Sequence, residues 1–171
     1  MRKKFVLEAV MLAIYGELLS PAKPIEYIIP ASTIYELEEI EQTTEPIMPD
    51  LEDDQHVRSV IRDMIQFFDD PFKRKKMEKS LIAPWSTVTF PFSEEVHLTI
   101  IKSTDSASWG ELFDPIETQL ILTAMRLHAP ILTDQVEWQE RLLEHEVSVQ
   151  FYDIEDFEFA VEMGLSLDDY L

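Results

Sequence analysis

Residues 25–37 read Ile-Glu-Tyr-Ile-Ile-Pro-Ala-Ser-Thr-Ile-Tyr-Glu-Leu, and this stretch decides the predicted fold class. Its first part, 25–29, is rich in β-branched and aromatic residues and predicts a strand that Pro30 ends. Ser32 then stands where a helix cap is expected. Apolar residues follow at helical spacing, at Ile34, Leu37 and Ile40. A strand that passes directly into a helix is the repeating unit of α/β folds.

The same alternation of strands and helices extends in both directions from this stretch. Further strands are predicted at 4–7, 86–92, 96–101, 130–133 and 147–151. Further helices are predicted at 8–19 and at 55–69. Another helix begins at Asp114, and one more follows the 130–133 strand and extends to about 144. The last helix is predicted at 157–163 and is ended by Gly164. The strands at 86–92 and 96–101 form either a hairpin or one strand with an extended connection. Residues 43–54 lack periodicity and are predicted to be a loop.

This order predicts an α/β fold, a three-layer α/β/α sandwich around a mainly parallel sheet. The 171 residues are expected to form one domain, 1–171, with a helical insertion at about 53–81 and an acidic C-terminal helix at about 153–171. The predicted helix caps are Asp53 or Asp54 for the 55–69 helix, Asp114 for the helix that begins there, and Thr133 or Asp134 for the next one.

Composition excludes several classes of protein. The chain has no cysteine, so disulfides, thiolate zinc sites and iron–sulfur clusters are excluded. Its three glycines are isolated and cannot form a glycine-rich phosphate loop. Acids interrupt the apolar N-terminal stretch, and no run approaches the roughly 18 apolar residues of a spanning helix. We therefore expect a cytoplasmic protein without a membrane partner and, because symmetric dimers are the commonest oligomers, a homodimer.

The charge balance is strongly acidic, with 34 acidic and 14 basic residues and a formal net charge of -20. This argues against a general binder of nucleic acid or anionic membranes, which needs a basic face. Basic residues concentrate in one short segment, 73–79. If that segment packed beside an acidic pocket, four of its side chains would contact RNA phosphates: Lys73, Arg74, Lys75 and Lys76. The alternative is an ordinary solvated surface.

Acidic side chains follow the carboxyl ends of the predicted strands, where ligands bind in parallel sheets. They are Glu8 after the first strand, Glu36 in the helix after the second, Glu117 in the first turn of the helix that Asp114 opens, and Asp134, with Gln135, after the 130–133 strand. Carboxylates without cysteine suit Mg²⁺ or Mn²⁺. Such an ion positions a water and a phosphodiester for in-line attack.

The segments that carry these acids resemble the PIN domain, a family of metal-dependent ribonucleases. The resembling segments are 5–12, 28–37 and 117–133. The most specific reads Ile-Ile-Pro-Ala-Ser-Thr-Ile-Tyr-Glu-Leu and places Glu36 on an acidic position of the family. Glu8 falls on the acid after the first strand, which is normally Asp, and Glu117 falls on the third acidic position. The resemblance touches roughly residues 4–41 and 113–151.

The resemblance implies an endoribonuclease in which Glu8, Glu36 and Glu117 hold Mg²⁺ or Mn²⁺, and it implies an association with toxin–antitoxin systems. The family's pattern continues with threonine, any residue and aspartate, where this chain has Thr-Asp-Gln at 133–135. The usual fourth acid is therefore Gln135. Asp134, one residue earlier, is the alternative fourth group.

Each acid also has a structural interpretation. Asp114 and Glu117 are spaced as a capping box, and Glu36 lies in an acidic run that is typical of a solvated helix face. Glu8 is harder to explain in this way, because a buried unpaired carboxylate is costly. Together with Gln135 and the net charge, these interpretations favour a rival function. In it, a PIN-like scaffold has lost catalysis and binds a basic protein partner through its acidic surface.

Overall fold

The computed structural model of the 171-residue chain describes residues 2–106, 109 and 111–163. Within these residues there are six strands: β1 (Lys3–Val6), β2 (Ile25–Pro30), β3 (Thr87–Pro91), β4 (Val96–Ile101), β5 (Ile131–Leu132) and β6 (Phe151–Tyr152). The α-helices are α1 (Met11–Ile14), α2 (Ala31–Gln42), α3 (Leu51–Asp69), α4 (Pro71–Ser80), α5 (Pro115–Leu127), α6 (Val136–Glu144) and α7 (Ile154–Met163). A 3₁₀ helix covers Gly16–Leu19.

The strands form one sheet in the order β3-β4-β2-β1-β5-β6. Every neighbouring pair is parallel except β3 and β4, which are antiparallel. Of the two predicted alternatives for 86–101, a hairpin or one strand with an extended connection, the structure shows the hairpin. Five strands therefore end at one edge of the sheet, which we name the carboxyl edge, and begin at the opposite amino edge. β3 runs the other way, so its first residue, Thr87, lies at the carboxyl edge opposite Ile101.

Helices cover both faces of the sheet, because successive strand residues point to opposite sides. Phe5 and Leu7 enter one apolar core together with residues of α1–α4 and α7. Val6 and Ile28 enter a second core together with residues of α5 and α6. The protein is thus an α/β fold with a mostly parallel six-stranded sheet, as predicted, and its helices are compatible with a three-layer sandwich.

The start of α2 differs from the prediction. Strand β2 continues through Pro30, the helix begins directly at Ala31, and no side chain caps it, so Ser32 is not the cap. Instead, Thr33 Oγ1 accepts a hydrogen bond from Ala9 N at 3.1 Å and donates one to Pro30 O at 2.9 Å. These bonds tie the first turn of α2 to the chain that follows β1. The two segments that carry Glu8 and Glu36 are therefore joined.

Helix α3 begins four residues earlier than predicted. Asp50 caps it by accepting a hydrogen bond from Asp53 N at 3.1 Å, so neither Asp53 nor Asp54 is the cap. Asp54 is buried inside the helix, where it accepts from Arg58 Nε at 2.9 Å and from Met48 N at 3.0 Å. The predicted loop at 43–54 therefore ends at Asp50. Asp54, which the prediction placed in the loop, lies in the helix and binds the backbone of the loop at Met48.

We expect Asp50→Ala to lower the free energy of unfolding by about 1 kcal/mol, the usual contribution of a helix cap. For a chain of this length the melting temperature should fall by about 2 to 4 °C. Asp53→Ala is the matched control, because Asp53 is exposed and caps nothing. Differential scanning calorimetry checks both variants, and an equal loss in the control would contradict the assignment of the cap.

Boundaries in the second half are also displaced. Helix α6 starts after Gln135 without a side-chain cap, so the predicted caps Thr133 and Asp134 are wrong. Strand β6 is shorter and later than the predicted 147–151 strand. Helix α7 starts at Ile154, whereas Gly164 and the rest of the predicted acidic helix lie outside the described residues. The predicted helix at 8–19 is replaced by α1 and the 3₁₀ helix.

No helix of the described ranges is both long enough and apolar enough to cross a membrane.

Candidate active site

Glu8 lies at the carboxyl edge, two residues after the central strand β1. The residues before it are buried on both faces of the sheet, and the chain then turns, with Met11 N donating to Glu8 O at 3.1 Å. The side chain of Glu8 is half-buried. Its carboxylate lies 3.5 Å from Gln135 Nε2, and within the described part of the chain it forms no ion pair with a basic residue. Its charge is thus left uncompensated.

Burial and the charges of four further carboxylates raise the pKa of Glu8 to about 7. Burial is the largest cause, followed by Glu36, Asp114, Asp134 and Glu117. The acids that the sequence places far apart therefore act on one carboxyl group. A shift of this kind, from burial and like charges together, is typical of functional sites.

Glu36 lies on α2 and is half-buried. Burial, then Glu39, then Asp114 raise its pKa. The charges of Glu36 and Asp114 thus act on Glu8, and that of Asp114 acts on Glu36; we name these three residues the carboxylate triad. Sequence analysis assigned only a capping role to Asp114. It does cap α5, with Oδ1 accepting from Glu117 N at 2.7 Å, and it also belongs to the triad.

Glu117 is held in another way. It is only 7% exposed, and its Oε1 accepts from Asp114 N at 3.0 Å, which completes the predicted capping box. Arg141 of α6 donates to both of its oxygens, from Nη2 to Oε2 at 2.7 Å and from Nη1 to Oε1 at 3.2 Å. A bidentate pair of this kind neutralises the carboxylate. Glu117 therefore secures the start of α5 and is bound by a cation of the chain itself.

Arg141 was not identified from the sequence, although a signal existed. Residues 81–171 contain 18 acids and only three basic residues, of which Arg141 is one. A rare cation in so acidic a stretch is expected to pair with a buried acid. Its partner, however, lies 24 residues away on another helix, and no local pattern reports that contact.

Asp134 and Gln135 are the two alternatives for the fourth acidic position of the PIN pattern, and their surroundings differ. Gln135 points its amide towards Glu8. Asp134 accepts a hydrogen bond from the Tyr15 hydroxyl at 2.7 Å, so its carboxylate is held in place while its charge still acts on Glu8. Burial and this hydrogen bond raise the pKa of Tyr15 to about 12. Tyr15 is a second residue that sequence analysis missed.

The donor set suits a hard divalent cation, since all its charged groups are carboxylates. As the described side chains are placed, no three acidic or histidine groups stand close enough together to hold one ion. Binding would therefore require acidic side chains to move from the positions described. Glu8 and Glu36 are half-buried glutamates on separate segments.

The predicted RNA-binding residues lie in α4: Lys73, Arg74, Lys75 and Lys76. The Lys73 ammonium lies 3.7 Å from the centroid of the Phe67 ring, and the Lys76 ammonium lies 5.7 Å from that of Phe90. Phe90 pairs with Leu98, the third of the six residues of β4. Arg74 lines a cleft together with Tyr35 and Glu38 of α2, the helix that carries Glu36. The role of the four basic residues in binding RNA therefore stays a prediction.

Comparison of the sequence with protein-family models found no match, and comparison with curated proteins found none either. Functional inference therefore depends on the geometry and electrostatics of the carboxyl edge.

Proposed function

We propose that the carboxylate triad binds Mg²⁺ or Mn²⁺ and that the protein hydrolyses RNA phosphodiester bonds at the carboxyl edge of a PIN-like fold. In this proposal Glu8, Glu36 and Asp114 hold the ion, and Gln135 and Asp134 contribute through water. Glu117, expected from the sequence to be a ligand, fixes the helix that carries Asp114 instead.

The observation that carries the proposal is the uncompensated crowding around Glu8. Four carboxylates act on its half-buried side chain, and the only side-chain polar contact it has within the described residues is the Gln135 amide. Arg141, which binds the neighbouring acid Glu117, forms no ion pair with Glu8. A doubly charged ion between the acids would relieve this repulsion, which an isolated structural carboxylate does not need.

A bound divalent cation would polarise a phosphoryl oxygen and lower the pKa of a bound water. The chain itself supplies the placement. Glu8 is held at the end of the central strand, Asp114 is fixed by its capping bond, and Asp134 is held by Tyr15. Positioned carboxylates of this kind can also accept a proton from the attacking water.

RNA is favoured as the substrate by the resemblance of the segments 5–12, 28–37 and 117–133 to PIN domains. In the structure Glu8 follows β1 by two residues, and Glu36 lies in α2, the helix that follows β2.

We expect Glu36→Gln to lower the rate of RNA cleavage about tenfold or more, because loss of one ligand charge weakens metal binding and transition-state stabilisation. Glu38→Gln is the matched control, since Glu38 is exposed on the same helix. The measurement is cleavage of labelled single-stranded RNAs with Mg²⁺, with Mn²⁺ and with EDTA. Equal rates for the two variants, or cleavage that persists in EDTA, would refute the proposal.

The Arg141–Glu117 pair favours a second candidate function. Arg141 neutralises Glu117, which falls on the third acidic position of the PIN pattern, and Gln135 replaces the fourth acid. Both features are expected of a scaffold without catalysis. Such a protein would bind a basic partner through its acidic surface. Salt-sensitive capture of a basic protein, with no rise in melting temperature on addition of Mg²⁺ or Mn²⁺, would support this candidate over the hydrolase.

A further inference from the structure

A cleft opens at the carboxyl edge, beside the carboxylate triad and on the side of β4. Its volume is about 220 Å³. Its polar lining comes from α2, α5 and the segment after β4: Ser32, Tyr35, Lys102, Ser103 and Gln119. We name it the Lys102 cleft.

The Lys102 cleft adjoins the triad through both of its helices. Ser32 and Glu36 are four residues apart on α2, so they lie on the same face, about 5 to 6 Å apart at their Cβ atoms. On α5, Gln119 follows Glu117 by two residues. Ser32 Oγ donates to Gln119 Oε1 at 2.6 Å and closes the cleft floor between the two helices. A chain bound at the triad would therefore enter this cleft next.

Three groups in the cleft can contact a ligand, whereas the hydroxyls of Ser32 and Ser103 are bonded to Gln119 and Thr123. Lys102 is exposed, and within the described residues its ammonium makes no hydrogen bond or ion pair. The Ser32–Gln119 bond uses the amide oxygen of Gln119, which leaves its Nε2 to donate. Tyr35 is 66% exposed and lines the cleft. The cleft thus combines a cation, an amide donor and an aromatic ring.

The placement of basic residues supports an anionic ligand. Of the three basic residues in 81–171, Arg141 binds Glu117 and Lys102 lines the cleft. The third, Arg126, has its guanidinium 5.0 Å from the ring centroid of Trp85, whose backbone N donates to Lys102 O at 2.8 Å. Lys102 and Arg126 are thus linked through the half-buried Trp85, whereas Arg141 is bound to Glu117.

We propose that the Lys102 cleft binds the nucleotide next to the scissile phosphate of a single-stranded RNA, an inference that rests on the proposed function. The Lys102 ammonium binds the phosphate, and the Tyr35 ring stacks on the base. Gln119 Nε2 donates to an acceptor on the base or to the 2′-hydroxyl. A double helix would not present an unstacked base to Tyr35, so the substrate class is single-stranded.

The test is fluorescence anisotropy of a labelled single-stranded RNA with the full chain, in Ca²⁺ in place of Mg²⁺ so that binding is measured without turnover. We expect Lys102→Met to weaken binding about five- to tenfold and to reduce the slope of log affinity against log salt by about 0.7. Tyr35→Ala should weaken binding about tenfold, whereas Tyr35→Phe should keep the affinity. Lys23→Met is the matched control, because Lys23 is exposed just before β2, at the amino edge.

Each outcome separates this inference from the hydrolase proposal. If Lys102→Met and Tyr35→Ala bind within twofold of the original chain, or Lys23→Met loses as much affinity, the subsite is refuted even where RNA is cleaved. Failure of the unmodified chain to bind RNA refutes it as well. If binding depends on Lys102 and Tyr35 while neither Mg²⁺ nor Mn²⁺ supports cleavage, the subsite is supported and the hydrolase proposal fails.

Discussion

Arg141→Met is expected to lower the free energy of unfolding by about 3 kcal/mol, because it leaves the buried Glu117 carboxylate without its cation. Glu117 is 7% exposed and receives two hydrogen bonds from Arg141, which also donates to Leu112 O at 2.9 Å. Methionine keeps most of the apolar stem of arginine, so the loss reports charge and hydrogen bonding more than packing. Urea unfolding at neutral pH measures the effect.

The double variant Arg141→Met/Glu117→Gln should regain about 2 kcal/mol of that loss, since a neutral amide can still accept the capping bond from Asp114 N and needs no counter-ion. Arg62→Met is the control for a surface pair. Arg62 lies 3.5 Å from Glu41 and is largely exposed, and its loss should cost less than about 1 kcal/mol. If the single and double variants at Arg141 were equally unstable, charge burial at Glu117 would not be the cause.

Glu8→Gln is expected to stabilise the protein while abolishing its proposed activity. In the folded chain burial and neighbouring acids raise the pKa of Glu8 from 4.5 to about 7, so the folded state binds this proton more tightly than the unfolded state does. The contribution of protonated Glu8 to the free energy of unfolding is fully present below pH 4.5, and it is lost as the pH rises to about 7. Above pH 7 the variant should be more stable by about 2 to 3 kcal/mol.

Between pH 4 and 8, the free energies of unfolding of the original chain and of Glu8→Gln should therefore differ only above about pH 4.5. The difference should widen up to about pH 7. RNA cleavage by Glu8→Gln should fall at least about 100-fold, since the central ligand is lost. Glu17→Gln, an exposed acid on the 3₁₀ helix, is the control and should change neither property. A variant that is no more stable at pH 8 would show that Glu8 is not crowded by its neighbours.

The sheet and the position of Glu8 could be predicted because their signals are local. The run 25–29 is apolar and β-rich, and Pro30 marks its end. Glu8 is an acid that directly follows an apolar strand segment. Such patterns depend on few neighbours, so they do not require knowledge of the rest of the fold.

The remainder of the site depends on contacts that are distant in sequence. Glu117 is expected to be a ligand from its place in the first turn of the Asp114 helix and from the resemblance, and its contact with Arg141 on another helix has no local signal in the sequence. The basic run in α4 was linked to the acids only by charge. The ammonium groups of Lys73 and Lys76 lie over the rings of Phe67 and Phe90, and no local pattern in the sequence predicts these cation–π contacts.

The two outer strands limit how copies of this molecule can associate. β3 ends in Pro91, which lacks an amide hydrogen, and β6 has only two residues. Neither border is a good template for continuing the hydrogen-bond ladder into a neighbouring molecule. A dimer, if it forms, should therefore pair through helical surfaces, and concentrated solutions should resist the edge-to-edge stacking that leads to fibrils.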